Sequence, residues 1–122
     1  MRLKVNGHEV FAATGGREFD AKLPLTVFLH GAGFDRTVWQ LLARWFAHRS
    51  AAVLAPDLPG HGLSSGAPLR SIGAMADWTA ALIEAAGAQQ ATIIGHSMGS
   101  LIALEVAARC GLDRELRDQG RA

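Results

Sequence analysis

Cysteine is almost missing: Cys110 stands alone among 122 residues, so the chain can close no internal disulfide and build no cysteine-based zinc site. A single thiol suits a reducing compartment, and a cytoplasmic protein is the expectation. Net charge is almost missing too. At +1, with lysines and arginines scattered, the chain lacks the basic footprint that would mark a nucleic-acid binder. Long apolar runs are also lacking. Met1 to His8 hold no oily core that would make a signal peptide. The longest apolar stretch, Ala91 to Ala108, is broken by His96, Ser97 and Glu105, whereas a membrane span needs roughly 20 apolar residues. No segment repeats, and none is of low complexity. Histidine is unevenly distributed: His8, His30, His48, His61 and His96 all precede Ser97, and none follows it.

What is present is enough to fold. Hydrophobic residues make up 49% and charged ones 19%, which suits one collapsed domain. Leu3–Val5 and Glu9–Thr14 read as two strands around Asn6-Gly7, a strong hairpin signal. Leu25–Leu29, Ala52–Ala55 and Ala91–Ile94 are short apolar runs, as expected of strands covered on both faces. Val38, Leu41, Leu42, Trp45 and Phe46 fall on one helical face, and Thr37 with Gln40 predicts a capping box. Asp57–Ser71, with three glycines and two prolines, is a loop. A second helix follows through Met75, Trp78, Thr79, Leu82, Ile83 and Ala86, with Ser71 as N-cap and Gly87 as stop. Met98–Arg109 reads as a helix apolar on nearly all sides, hence central. Alternating strands and helices predict a parallel sheet with right-handed crossovers, and the hairpin adds an antiparallel edge.

Gly95-His96-Ser97-Met98-Gly99 spells G-x-S-x-G between an apolar strand and an apolar helix. A serine at so tight a turn is strained, and its neighbours two residues away must be small. The turn lifts the hydroxyl to the N-terminus of the next helix, where free N–H groups favour developing negative charge. That placement suits a nucleophile attacking a carbonyl.

With this motif the chain resembles the α/β-hydrolase family. His30-Gly31-Ala32-Gly33 resembles the family's oxyanion loop, Asp57–Ser64 the loop after its next strand, and Trp39 the aromatic at the start of its first helix. The resemblance covers residues 1–109. It implies an incomplete α/β-hydrolase fold: a mostly parallel sheet, an antiparallel N-terminal hairpin and helices on both faces. It further implies Ser97 as nucleophile and the backbone N–H groups of Ala32 and Met98 as oxyanion donors. His30, Gly31 and His96 are candidate substrate-pocket residues, although packing is the leading role for His96 and bracing for His30. His61 and Asp57 are read as loop-organising, and Cys110 as inert. The implied substrate is a small ester-like molecule, with no metal or organic cofactor.

In the family, the acid and then the histidine follow the serine. Here Glu105, Asp113, Glu115 and Asp118 follow it without strand context, and no histidine does. Residues 110–122 form an atypical charged tail, expected to reflect truncation or a shifted reading frame. The last strand is expected at an exposed sheet edge that invites self-association. The leading expectation is therefore a hydrolase fragment inactive by itself. The alternatives are a non-catalytic binding module, one half of a two-chain enzyme, or an unrelated αβα fold carrying the motif by chance.

Overall fold

The computed structural model describes residues 1–121, with side chains described through Arg109. Strands β1 (Arg2–Val5) and β2 (His8–Ala13) pair antiparallel, from Arg2 opposite Phe11 to Val5 opposite His8. Asn6 and Gly7 between them have φ of 51° and 81°, the left-handed pair that a tight hairpin turn requires. Strand β3 (Leu25–Leu29) is followed by a short 3-10 turn (Arg36–Trp39) leading into helix α1 (Gln40–Ala47), then strand β4 (Ala52–Pro56). Helix α2 (Ile72–Ala85), strand β5 (Ala91–Gly95) and helix α3 (Met98–Arg121) complete the order.

The five strands lie in the order β1-β2-β4-β3-β5. β3 is central to the parallel part, pairing with β4 on one side and β5 on the other, while β2 joins β4 antiparallel. Helices cover both faces. On one, Trp78 and Leu82 of α2 with Ile102 and Val106 of α3 close over Val5, Val10 and Leu54. On the other, Trp39, Ala43 and Ala47 pack on Phe28, Val53 and Ala55. The mostly parallel sheet with an antiparallel hairpin is as the sequence predicts.

Four local expectations are corrected. The predicted core stripe of α1 faces mostly outward: Leu41 is 84% exposed and Val38, Leu42 and Trp45 about half, while Phe46 alone of the five packs inward, edge to face on Phe28. The sheet side is taken by Ala43 and Ala47, small enough to let the helix approach the turn at Gly15, where a Cβ would collide with both. Helix periodicity finds an apolar face but cannot choose between two of them. The cap is Asp35 rather than Thr37. The Asp35 carboxylate accepts from the Thr37 backbone N–H at 2.9 Å and from its hydroxyl at 2.5 Å, so the helix begins as a 3-10 turn. β5 is only half-buried, because it ends the sheet, and α3 is not central: Leu101 and Leu104 of its outer face are exposed. The readings placed on the side chains of residues 110–122, Cys110 among them, lie outside the described residues.

Trp39 is buried on the Phe28 ring, 5.1 Å between centroids, and its indole N–H has no partner among the described residues. Arg109 ties α3 to α2 by pairing with Asp77, and also with Glu105 at 3.0 Å. Among the described residues no helix is long and apolar enough to cross a membrane.

The burial pattern separates two leucines that a helical or strand reading would treat alike. Leu54→Ala is expected to cost about 2–5 kcal/mol in urea unfolding, through the cavity it leaves. Leu41→Ser is expected to change stability by less than about 0.5 kcal/mol, as a surface position does.

Candidate active site

β3 and β5 run parallel and in register, so Leu29 and Gly95 stand side by side at their carboxyl ends. There β5 turns into α3 within two residues. The bend requires bare α-carbons on either side. A Cβ on Gly95 would strike the Gly99 carbonyl, and one on Gly99 would strike the Leu29 carbonyl. The first turn of α3 thus rests directly on the backbone of β3. Ser97, at the apex, is forced to φ 56°, a left-handed conformation that costs a non-glycine residue about 1–2 kcal/mol. The surrounding backbone holds it there. The His96 N–H donates to Leu29 at 3.1 Å, the Gly99 N–H to His96 at 2.9 Å, and the Ser100 hydroxyl to the Ser97 carbonyl at 2.6 Å. The side chain of Ser97 is left exposed to solvent.

The loop after β3 forms the facing wall. A Cβ on Gly31 would lie 3.2 Å from the Ser97 Cβ and 3.4 Å from the His96 carbonyl oxygen, so glycine permits this approach. The Phe34 N–H donates to the Gly31 carbonyl at 3.2 Å, closing a turn with Ala32 at its exposed corner and Gly33 at φ 77°. Met98 opens α3, so its N–H belongs to the first turn, whose donors have no partner within the helix. Ser97, Gly31 and His96 therefore meet, and Ala32 and Met98 adjoin them on the same two loops.

His30 does not join them as a pocket residue. It is wholly buried, its Nδ1 donates to the Gly31 carbonyl at 2.7 Å, and its Nε2 accepts from the Leu58 N–H at 3.0 Å. Both ring nitrogens are consumed in pinning the loop after β3 to the loop after β4. Burial lowers its pKa, and nearby His61 lowers it further, against the opposing pull of the Gly31 carbonyl. His61 reinforces the link: its ring lies 5.1 Å from that of His30, and Nδ1 donates to the Pro59 carbonyl at 3.0 Å. Asp57 organises the second loop. Its buried carboxylate accepts from the Arg36 backbone N–H at 2.8 Å, the Arg36 guanidinium at 2.7 Å and the Leu63 N–H at 2.8 Å.

Two neighbours escaped the sequence reading. Arg36 stacks over the Phe11 ring at 4.5 Å while holding Asp57, a pairing 21 residues apart with no local signal. Phe34 stands 53% exposed beside the bend, its ring edge toward His96 with 6.3 Å between centroids. A lone aromatic after a glycine-rich turn carries no periodicity. Among the described residues no three histidine, cysteine, aspartate or glutamate side chains are grouped to hold a metal ion.

Residues 26–118 match the profile of the Alpha/beta hydrolase family, and the chain belongs to that family. Among curated proteins it is 36% identical over 89 residues to an sn-1-specific diacylglycerol lipase of Mus musculus, covering 72% of this chain and 29% of that one. It is 40% identical over 86 residues to a pimeloyl-[acyl-carrier protein] methyl ester esterase of Chromobacterium violaceum, covering 70% and 32%. Among solved structures, the crystal structure of a membrane phospholipase A superposes with a TM-score of 0.79 at 33% identity, over 89% of this chain and 34% of that one. The chain thus spans less than a third of the length of these curated relatives.

The brace made by His30 sets a pH dependence. Its folded pKa lies below the ordinary 6.5, so the unfolded chain takes up the proton first. The stability it contributes is complete above pH 6.5 and is lost as pH falls below that value. His30→Ala, which strands the Leu58 N–H and the Gly31 carbonyl, is expected to cost about 2–4 kcal/mol at neutral pH. Urea unfolding at pH 7.5 and 5.5, wild type against variant, checks both: the gap between the two proteins narrows on acidification.

Proposed function

We propose that this chain carries the nucleophile of a serine hydrolase that cleaves ester or related acyl bonds through an acyl-enzyme on Ser97. The observation supporting it is the left-handed Ser97 at an exposed strand-to-helix bend, with a glycine loop packed against it. In this reading the Ser97 Oγ attacks the acyl carbon, and the oxyanion forms beside the backbone N–H groups of Ala32 and Met98. One such donor is worth about 3–4 kcal/mol in a complete enzyme. The alcohol leaves with a proton, and water then attacks the acyl-serine, releasing the acid and restoring the hydroxyl. The relatives named as a lipase and a methyl ester esterase support an ester over an amide.

The missing part is the general base. No histidine follows Ser97 in these 122 residues, and the ring nitrogens of His30 are spent on backbone. Loss of a catalytic histidine costs on the order of a millionfold in turnover in a well-studied serine protease. We therefore read the 122 residues as a fragment nearly inactive by itself. A second reading, one half of a two-chain enzyme, draws support from the half-exposed β5 at the sheet edge, which a further strand would cover. The substrate is a small ester-like molecule on either reading.

The test supplies the base from solution. The chain is incubated with p-nitrophenyl acetate, with and without imidazole, and acyl-protein is followed by intact mass. Imidazole is expected to accelerate formation of one adduct, carried by Ser97 and lost in Ser97→Ala. Equal labelling of the Ser97→Ala protein would remove Ser97 as nucleophile. Steady turnover well above buffer without imidazole would overturn the claim of inactivity.

A further inference from the structure

Resting on the reading of Ser97 as nucleophile, we infer that Phe34 and His96 form a wall for the acyl group, selecting uncharged aliphatic acyl chains of medium length over acetyl. A phenyl ring is half-exposed on a loop whose other residues, Gly31, Ala32 and Gly33, carry no polar side chain. The position of a Cβ on Gly31 lies 3.2 Å from the Ser97 Cβ and 3.5 Å from the Phe34 Cδ2. The ring edge and the reacting serine therefore both press against the bare α-carbon of Gly31, which sets the half-exposed Phe34 ring beside the reacting serine. The Phe34 ring meets the exposed His96 ring edge to face, at 77° between planes, so the two rings form a corner rather than a flat patch.

Charge narrows the choice. Arg36, the cation nearest to Phe34 in sequence, is committed to buried Asp57, and Asp35 is committed to Thr37. The cation is thus occupied, and the Asp35 carboxylate, still negative, repels an ionised acyl end. A methylene fully removed from water is worth about fourfold in binding. Four further methylenes lying half against an open wall then give roughly tenfold in rate of acylation.

The experiment compares p-nitrophenyl hexanoate with p-nitrophenyl acetate, and with the equally long monoester of adipic acid, under imidazole with intact mass as readout. In each case the Oγ–acyl bond forms, p-nitrophenolate leaves and imidazole takes the serine proton. Each rate is divided by the ester's own reactivity toward imidazole alone. The expected hexanoyl preference is about tenfold, falling to about one in Phe34→Ala, largely kept in Phe34→Leu, and absent for the adipate monoester. A hexanoyl preference near one, or one that survives Phe34→Ala, overturns the wall while leaving Ser97 as nucleophile. A preference equal for the adipate monoester overturns the exclusion of charge. Labelling indifferent to Ser97→Ala overturns the underlying reading instead.

Discussion

The geometry of the site depends on one contact: the bare α-carbons of Gly95 and Gly99 let the first turn of α3 settle onto the carbonyls that end β3. Any side chain at either position would lift the helix from the sheet. Because the helix sits so low, the chain has two residues in which to reverse, and the second must adopt a conformation unfavourable to a side chain. The strain at Ser97 is therefore imposed by packing elsewhere. It is held by hydrogen bonds from His96, Gly99 and Ser100, none of which uses the serine hydroxyl. The hydroxyl takes no part in holding the bend, because the backbone alone fixes its place.

A second scaffold holds the facing loop, built from buried His30 and Asp57 with half-buried His61 beside them. His30, His61 and Asp57 link the loops after β3 and β4, each with partners in backbone or in Arg36. Buried polar groups that are fully paired define a single arrangement, since every alternative leaves a donor or acceptor unmet. The loop bearing Gly31 is thereby aimed at Ser97 by residues that lie outside the bend itself.

Much of the fold was legible in the sequence, because it rests on short-range signals. Asn6-Gly7 fixes the hairpin, the apolar runs mark the strands, Ser71 and Gly87 bound α2, and the spacing of Gly95 and Gly99 announces the bend. What was not legible required knowing which surface lay opposite. Helix α1 is apolar on two sides, and only the closeness of Gly15 decides that Ala43 and Ala47 face inward. The exposed outer residues of α3 belong to the same class of error: an apolar side chain reports what it prefers, and the sheet reports what is there. At the site, the glycines and serine were readable as a motif. The ring of Phe34 and the grip of Arg36 on Asp57 were not, since both are contacts between distant parts of the chain.

The outward stripe on α1 has a colloidal consequence. Leu41, Leu42 and Trp45 face water on one side of the molecule, Leu101 and Leu104 on another, and the net charge of +1 gives little mutual repulsion. Solubility of a protein leans on that repulsion when oily patches are in view. Of the two flanks, that of α1 turns the larger number of oily side chains toward water, with Val38 beside them at the start of the helix.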